Sequence, residues 1–331
     1  MSSPKVVGIF GATGLQGGSV VRSLRKDQSS SFQIRGITRN PASDASQVLE
    51  SLGCQVVQAD GWKVPEVAAA FEGVWAAFVN TNSDDPIFQH ADGPTEFDLG
   101  KSIIDGLVVA GVRHLVLSAL PSAFETTDGA LSIRTMDMKH RIEQYAYSVN
   151  KFASITSLYA GWYYEILLDR GMAQVHGGFP FTPDDEGFYS LHMPRWGEDQ
   201  GVPWISITHD FGDMVHGILL DPARWHQQSI QGVSEIWTLD DVTRFFSEVT
   251  GKPARYVPLA SPDLLGPDIP ALEDARLLFR LGQHTNGQYF GREASDTSRA
   301  QTLKNLALEA QGQPPSGLKS IRAWIQEHFS G

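Results

Sequence analysis

Residues 6–17 read VVGIFGATGLQG, an apolar run that breaks into three glycines spaced three apart. The pattern predicts a buried strand, a sharp turn and the start of a helix. The first glycine permits the turn, the second lets a pyrophosphate approach the main chain, and the third lets the helix lie close to the sheet. The free N–H groups of the helix N-terminus then favour an anion. The stretch predicts a dinucleotide site, at which the expected cofactor contacts are Gly11, Thr13, Gly14, Leu15, Gln16 and Gly17.

Composition and charge exclude several classes of protein. A chain of 331 residues, 41% of them hydrophobic, can bury a large core, so disorder is excluded. The formal net charge of −12 argues against direct nucleic-acid binding, but it is compatible with docking to a basic protein segment. Cys54 is the only cysteine, which excludes an internal disulfide and a cysteine-based zinc site. The histidines show no tight ligand spacing with carboxylates, so we expect no metal.

The sequence also bears on location and assembly. Its apolar runs are too short to span a bilayer, and the first predicted strand follows residue 4 directly. We therefore expect no membrane anchor and no signal peptide. The expected location is cytoplasmic, or nuclear if the protein is a regulator. Both a monomer and a dimer are compatible with the sequence.

The first half of the chain alternates short β-branched or aromatic runs with helical patterns. Strands are predicted at 5–10, 32–38, 55–58, 74–79, 113–118 and 152–159. Helices are predicted at 15–27, 42–52, 64–70, 94–111 and 135–148. This alternation predicts an α/β fold with a Rossmann-type doubly wound parallel sheet, which binds its ligand outside the carboxyl ends of the strands.

The pattern changes after residue 160, where short strands, loops and a polar, mostly helical tail follow. We expect an NAD(P)-binding domain over 1–160. A smaller mixed α/β substrate or cap subdomain is expected over 161–331, with some segments returning to the sheet. The aromatic residues of 176–207 are candidates for the wall of an apolar substrate pocket, and packing into a subdomain core is an equally good interpretation.

The end of the second strand usually decides between the two nicotinamide cofactors. An acidic residue there bonds the ribose 2′-hydroxyl of NAD, whereas a basic residue accommodates the 2′-phosphate of NADP. Here the strand ends in Thr38-Arg39-Asn40, and an arginine can fork onto a phosphate. Arg39 therefore predicts NADP(H) rather than NAD(H), a solvent-exposed loop residue being the alternative. Asp60, after the third strand, is a candidate acceptor for the adenine amino group, and a helix cap is its alternative role.

Taken together, several segments resemble the NmrA-like family, an atypical branch of the short-chain dehydrogenase/reductase superfamily, and in particular fungal NmrA-type proteins. The matching segments are GATGLQG at 11–17, GITRNP at 36–41, FVNTNS at 78–83, VRHLVLS at 112–118, Lys139 and YAGWY at 159–163. The resemblance implies a Rossmann fold that binds NADP(H) or NAD(H). Some members of the family are reductases and others are redox-sensing regulators. On these segments the resemblance implies cofactor contacts from Asn80, Thr81, Lys139, Tyr159, Gly161 and Trp162.

Reduction of a carbonyl by hydride needs a proton donor near the developing alkoxide. Typical short-chain dehydrogenases supply it with a Tyr-x-x-x-Lys pair. The one copy in this chain, Tyr147 with Lys151, falls at the amino end of the sixth strand and is expected to be coincidental. The better-placed lysine is Lys139, with Thr135 where the tyrosine would stand. The resemblance implies that this lysine acts on substrate or cofactor hydroxyls, an ordinary exposed helix lysine being the alternative.

Two more residues complete the candidate catalytic group. Tyr163, just after the sixth strand, is a candidate proton donor, with packing as its alternative role. Ser118 ends the fifth strand, where the superfamily often places a substrate-orienting serine, and a simple strand-end cap is the alternative. These features favour an NADPH-dependent reductase of a small carbonyl or enone metabolite, aromatic or polyketide-like. The other hypothesis is a non-catalytic NAD(P)-binding redox sensor that binds a regulatory protein partner.

Overall fold

The structure, a computed structural model, describes residues 4–29, 31–90, 92–197 and 201–330. Its strands are β1 (Lys5–Phe10), β2 (Phe32–Thr38), β3 (Gln55–Gln58), β4 (Ala76–Val79), β5 (His114–Ala119), β6 (Ser154–Ala160), β7 (Trp162–Tyr163), β8 (Tyr189–Pro194), β9 (Val202–Ile205), β10 (Ser229–Gly232), β11 (Glu235–Trp237) and β12 (Ala254–Leu259). Its α-helices are α1 (Leu15–Arg25), α2 (Asp44–Ser51), α3 (Val64–Ala70), α4 (Glu96–Val109), α5 (Ala123–Thr126), α6 (Arg134–Ser148), α7 (Arg170–Val175), α8 (Gly212–Leu220), α9 (Leu239–Thr250), α10 (Glu273–His284), α11 (Ser298–Ala310) and α12 (Ile321–Phe329). Short 3₁₀ turns lie at Pro86–Gln89, Tyr164–Leu168, Pro262–Leu264 and Pro270–Leu272, and a π-helical turn lies at Ile207–Phe211.

A parallel sheet of seven strands, in the order β10-β6-β5-β4-β1-β2-β3, forms the centre of the described chain. Val7 and Ile9 on β1 and Phe78 on β4 are fully buried in its core. The strand order reverses between β1 and β4, and such sheets bind ligands at the carboxyl ends beside this reversal. The predicted doubly wound α/β fold is confirmed, and each of the six predicted strands overlaps an observed one.

The turn after β1 shows why glycine occupies positions 11 and 17. Gly11 adopts a φ of +80°, and a Cβ there would lie 2.8 Å from the carbonyl oxygen of Asn80. A Cβ on Gly17 would lie only 2.2 Å from the carbonyl oxygen of Gly11. Helix α1 can therefore approach the end of β1 only because residue 17 has no side chain. The geometry agrees with the roles that the sequence predicts for these two glycines.

The second half of the chain contributes to the central sheet and also builds a smaller unit. Strand β10 pairs in parallel with β6 at the edge of the sheet. The π-helical turn before α8 is tied to α1 through Ser19, whose hydroxyl donates to the carbonyl oxygen of Ile207 (2.6 Å) and accepts from the N–H of Gly212 (3.0 Å). Away from the central sheet, β11, β9 and β7 form a three-stranded sheet, and β12 pairs with β8.

The bulky aromatic residues of the segment 176–207 pack into the core of this smaller unit. Phe179, Trp196 and Trp204 are almost fully buried. Trp196 and Trp204 contact Trp162 edge-on, with ring centroids 5.4 and 5.9 Å away. The described part of 176–207 contributes no residue to the large cleft at the carboxyl ends of the central strands. Core packing is thus the interpretation that the structure supports, and the expectation of a pocket wall is not met.

Candidate active site

A cleft of about 810 Å³ opens at the carboxyl ends of the central strands, where a doubly wound sheet predicts it. Its walls come from the turns after β1 to β6, from α6 and from the segment after α10. We call the part beside the ends of β2 and β3 the outer end, and the part beside β5, β6 and α6 the inner end. The predicted site residues that line the cleft are Gly11, Thr13, Gly14, Leu15, Gln16, Arg39, Asp60, Asn80, Thr81, Ser118, Lys139, Gly161 and Tyr163.

The first turn of α1 faces this cleft and provides an anion site. Gly14 occupies the N-cap position, and no described side chain caps the helix there. The first amide groups of the helix are therefore left for a ligand, and the helix dipole adds a partial positive charge at the same point. Thr13 and Leu15 are exposed beside them, whereas Gly17 is buried and does not line the cleft. Its role is to let the turn and the helix pack, so the predicted cofactor contact by Gly17 is not supported.

An exposed ion pair lies at the outer end of the cleft. The side chain of Arg39 is 68% exposed, and its Nη1 lies 3.3 Å from Oδ2 of Asp85. Asp60 lines the same end, where one carboxylate oxygen accepts from the N–H of Trp62 at 3.1 Å and the other lies 3.9 Å from the Lys63 ammonium. The structure therefore places Arg39 in the cleft, as its predicted role requires. Asp60 lies in the cleft and also stabilises the turn that follows it.

At the inner end, Lys139 belongs to a buried ion pair. Its Nζ lies 3.0 Å from Oε1 of Glu96, and the two side chains are 9% and 0% exposed. The same ammonium donates to the carbonyl oxygen of Thr81 (3.0 Å), to the hydroxyl of Thr81 (3.2 Å) and to Oδ1 of Asn80 (3.4 Å). The Thr81 hydroxyl in turn donates to Glu96 at 2.5 Å. Because protein acceptors surround the ammonium, Lys139 fixes the segment after β4, and the alternative of an exposed helix lysine is excluded.

Tyr163 lies in the cleft wall with a defined hydrogen bond. Nε2 of Gln16 donates to its phenolic oxygen at 2.6 Å, so the hydrogen of the phenol is left for another acceptor. Burial, with smaller contributions from the carboxylates of Glu165 and Asp84, raises the pKa of Tyr163 to about 12. The phenol therefore keeps its proton at neutral pH. This side chain combines a position in the cleft with a proton that it can give.

Three further side chains complete the inner end. Ser118, at the end of β5, is nearly buried and lines the cleft. Thr135, which also lines the cleft, donates its hydroxyl to Oδ2 of Asp274 at 2.6 Å, so that hydroxyl is already engaged. Tyr289, from the segment after α10, is nearly buried, and burial together with the neighbouring Tyr163 raises its pKa above the ordinary value.

Two predicted cofactor contacts lie outside the cleft. The hydroxyl of Tyr159 donates to the carboxylate of Glu143 on α6, with O–O distances of 2.9 and 3.0 Å. Trp162 packs into the aromatic cluster of the smaller unit. Neither side chain lines the cleft, so the predicted contacts from Tyr159 and Trp162 are not supported. The strand breaks at Gly161 between β6 and β7, and Ala160, Gly161 and Tyr163 are the residues of this segment that line the cleft.

The literal Tyr-x-x-x-Lys copy is remote from this site. Tyr147 lies near the end of α6, and Lys151 is exposed in the connection that precedes β6. Neither residue lines the cleft. This placement agrees with the prediction that the spacing is coincidental.

Sequence analysis missed three residues of the cleft region: Asp85, Glu96 and Tyr289. Glu96 lies in the first turn of α4, where an acidic residue is ordinarily explained by the helix dipole, so nothing in the sequence signals its burial. Tyr289 is far from Tyr163 in the chain, and only the tertiary fold brings it to the cleft. Asp85 closely follows the FVNTNS segment, and its sequence neighbours do not indicate that it meets Arg39.

Within the described ranges, no group of three or more His, Cys, Asp or Glu side chains is arranged to hold a metal ion. The helices of the same ranges include none that has the length and apolar character needed to cross a membrane.

Comparison with known proteins agrees with this fold. The model of the NmrA-like family matches residues 3–306. This chain belongs to the NmrA-like family. A relative with 47% identity over 332 residues is the NmrA-like family domain-containing oxidoreductase lnbB of Aspergillus flavus, and the match covers 99% of each chain.

Two solved structures share the fold of this NmrA-like chain. NmrA, a negative transcriptional regulator crystallised in complex with NADP, matches with a TM-score of 0.73 at 20% identity, over 99% of this chain and 96% of that chain. The NADPH-dependent quinone oxidoreductase QOR2 of Escherichia coli, complexed with NADPH, matches with a TM-score of 0.68 at 21% identity, over 98% and 99% of the two chains. These likenesses confirm the architecture, and the family resemblance predicted from the sequence is confirmed by the family match.

Proposed function

We propose that this protein is an NADPH-dependent reductase that transfers a hydride to a small carbonyl or enone substrate. The observation that carries the proposal is a protonated phenol, Tyr163, in the same cleft as the ion-paired Lys139. A protein that only senses the cofactor needs the dinucleotide cleft. It has no need for a proton donor in that cleft.

The cleft has the features that a dinucleotide requires. The N-terminus of α1 beside Gly14 would hold the pyrophosphate, since its amides are uncapped by described side chains. Arg39 would hold the 2′-phosphate and Asp60 the adenine amino group, because both line the outer end. Asn80, Thr81 and Gly161 would border the remainder of the cofactor. Bound NADPH supplies the hydride, and the chain supplies orientation and the proton.

Tyr163 is the proposed proton donor. With Gln16 donating to its oxygen, the phenol can direct its own hydrogen toward a carbonyl oxygen in the cleft. A pKa of about 12 makes the phenol a weak acid, yet an alkoxide is a stronger base than a phenolate. Proton transfer to the alkoxide of the reduced substrate is therefore favourable. The hydroxyl of Ser118 is proposed to orient the same oxygen.

Lys139 is proposed to act as a positioning residue. Its hydrogen bonds to Asn80 and Thr81 hold the turn after β4 against α6, and the carboxylate of Glu96, 3.0 Å away, holds the Lys139 Nζ in place. The turn after β4 is thus held in place at the inner end before a ligand binds. Such preorganisation stabilises a reacting geometry without the cost of rearrangement.

The surroundings of Tyr163 indicate the kind of substrate. Leu120, Ile166 and the ring of Tyr289 line the cleft and give its inner end an apolar surface. A flat, neutral, aromatic or polyketide-like carbonyl compound or enone fits such a lining. The oxidoreductase name of a relative at 47% identity supports the enzyme over the regulator, whose likeness to this chain lies at 20% identity.

The test follows NADPH absorbance with a panel of quinones, enones and aromatic aldehydes. We expect turnover with at least one class, and a loss of about a hundredfold in kcat for Tyr163→Phe with unchanged NADPH affinity. Tyr289→Phe is the matched control, since it removes the same atom from a neighbouring buried phenol. Tight NADPH binding without turnover of any compound would overturn the reductase proposal. The redox sensor, with unequal affinities for NADPH and NADP⁺, would then be the better explanation.

A further inference from the structure

The ion pair at the outer end joins two turns on opposite sides of the glycine turn. Arg39 follows β2, and Asp85 belongs to the segment after β4. In the sheet, β1 lies between these two strands. The contact between Nη1 of Arg39 and Oδ2 of Asp85, 3.3 Å long, therefore spans the cleft beside the turn after β1.

The two partners of this pair differ in how firmly they are held. Oδ1 of Asp85 accepts from the N–H of Ile87 at 3.2 Å and caps the 3₁₀ turn Pro86–Gln89. Phe88 in that turn is buried and packs against Trp62, with ring centroids 6.2 Å apart. The side chain of Asp85 is 20% exposed, against 68% for Arg39. The carboxylate is therefore the fixed partner and the guanidinium is the one that can move.

We propose that Asp85 is a specificity-determining residue that lowers the preference of the site for NADP(H) over NAD(H). The proposal rests on the proposed role of Arg39 at the 2′-phosphate, and it is independent of hydride transfer. A 2′-phosphate that binds Arg39 either displaces Asp85 from the guanidinium or shares the guanidinium with it, and in both cases its charge lies close to that carboxylate. Binding of NADPH therefore weakens this ion pair or adds a repulsion between like charges. NADH carries no charge at this position and leaves the pair intact.

The same pair brings together two charges that Rossmann sites usually employ separately. An acidic group at the end of the second strand is typical of NAD sites, and a basic group there is typical of NADP sites. In this chain the basic group comes from the end of β2 and the acidic group from the segment after β4. The sequence around β2 therefore overstates the preference for NADP(H), because the opposing carboxylate is supplied from elsewhere.

The test compares the dissociation constants of NADPH and NADH, measured by fluorescence titration of the full chain, for wild type and Asp85→Asn. Asparagine keeps an oxygen that accepts from Ile87, so the turn remains capped. We expect NADPH to bind about three- to tenfold more tightly and the affinity for NADH to stay unchanged. The ratio of the two constants should therefore shift at least threefold toward NADPH.

Two controls make the result specific. Asp263→Asn removes the carboxylate of another Asp–Arg pair, with Arg280, outside the cleft, and should leave the ratio unchanged. In an Arg39→Ala background, Asp85→Asn should shift the ratio by a smaller factor, because only the direct repulsion between the carboxylate and the 2′-phosphate is then removed. A shift below threefold, or an equal shift without Arg39, would overturn the proposal. Because the readout is binding, absence of turnover would refute the reductase and leave this inference standing.

Discussion

The two ends of the cleft each carry an ion pair, and the pairs differ in burial. At the outer end the side chain of Arg39 is 68% exposed beside Asp85, whereas at the inner end Lys139 and Glu96 are 9% and 0% exposed. An exposed pair contributes about 0–1 kcal/mol to stability, and breaking a buried pair costs about 3–5 kcal/mol. The outer pair can therefore exchange its partner for a ligand, and the inner pair stays fixed. This difference separates the residues proposed to select the cofactor from those proposed to hold the reaction geometry.

Breaking the inner pair should have the largest effect on stability. Glu96→Ala leaves the Lys139 ammonium buried without its counter-charge, so we expect the free energy of unfolding to fall by about 3–5 kcal/mol. Arg39→Ala, which breaks the outer pair, should change it by less than about 1 kcal/mol. Urea denaturation of the two variants measures both values. Equal losses from the two substitutions would contradict the contrast between the ends.

Removing the Tyr163 hydroxyl should have the next largest effect, on catalysis. Tyr163→Phe deletes the proposed proton donor and the acceptor for Gln16, so kcat should fall about a hundredfold while NADPH affinity stays unchanged. Steady-state kinetics with fluorescence titration of NADPH separates the two quantities. If Tyr289→Phe lowered kcat as much, the specific role of Tyr163 would be lost.

The pH dependence of the proposed proton transfer follows from the raised pKa of Tyr163. Its folded-state value of about 12 lies above the ordinary value of about 10, so the neutral phenol is the form that the fold favours. The stability from this group is thus fully present below about pH 10 and is lost as the pH rises toward 12. We expect kcat to show no deprotonation of the acid below about pH 10. A basic limb between about pH 7 and 8 that disappears in Tyr163→Phe would show that the pKa of this phenol is lowered, and would contradict the raised pKa.

Substitution at the outer end should act on cofactor choice alone. Arg39→Ala removes the charge proposed to bind the 2′-phosphate, so NADPH affinity should fall about tenfold and NADH affinity by less than about twofold. Titration of NADPH at low and high salt tests whether the contribution of Arg39 to binding is electrostatic, because salt screens an exposed charge. Equal losses of affinity for NADPH and NADH would show that Arg39 does not bind the 2′-phosphate.

The smallest effect on the cofactor is expected at Tyr159, which the structure places outside the cleft. Tyr159→Phe removes a buried hydrogen bond to Glu143, so the free energy of unfolding should fall by about 1–2 kcal/mol. NADPH affinity should stay at the wild-type value in the same titration. A clear loss of NADPH affinity with an unchanged free energy of unfolding would instead support the predicted contact between Tyr159 and the cofactor.

These contrasts show which parts of the molecule are predictable from the sequence. The central strands and the glycine turn are local patterns, and Gly11 and Gly17 occupy the conformations that their spacing predicts. When both faces of a strand are apolar, the neighbouring residues in the sequence do not indicate which face lies toward a ligand. The YAGWY segment predicts cofactor contacts from Tyr159 and Trp162, whereas in the structure Ala160, Gly161 and Tyr163 line the cleft.

Contacts between segments that are far apart in the chain also cannot be predicted from the sequence. Glu96 resembles an ordinary helix-start carboxylate until the fold buries it against Lys139. Asp85 lies in a polar loop, and its meeting with Arg39 depends on the order of β4, β1 and β2 in the sheet. Tyr289 reaches the cleft from the segment after α10. In each case the chemistry of the residue is set by a partner remote in the chain.

The central claim, that this cleft reduces a substrate, is tested most directly by following a label. NADPH carrying deuterium at both hydrogen positions of C4 of the nicotinamide would be incubated with the carbonyl panel and either wild type or Tyr163→Phe, and the product examined by mass spectrometry. The predicted result is one deuterium in the product of the wild-type protein and a formation rate about a hundredfold lower in the variant. Bound NADPH that never passes its deuterium to any compound of the panel would contradict the account.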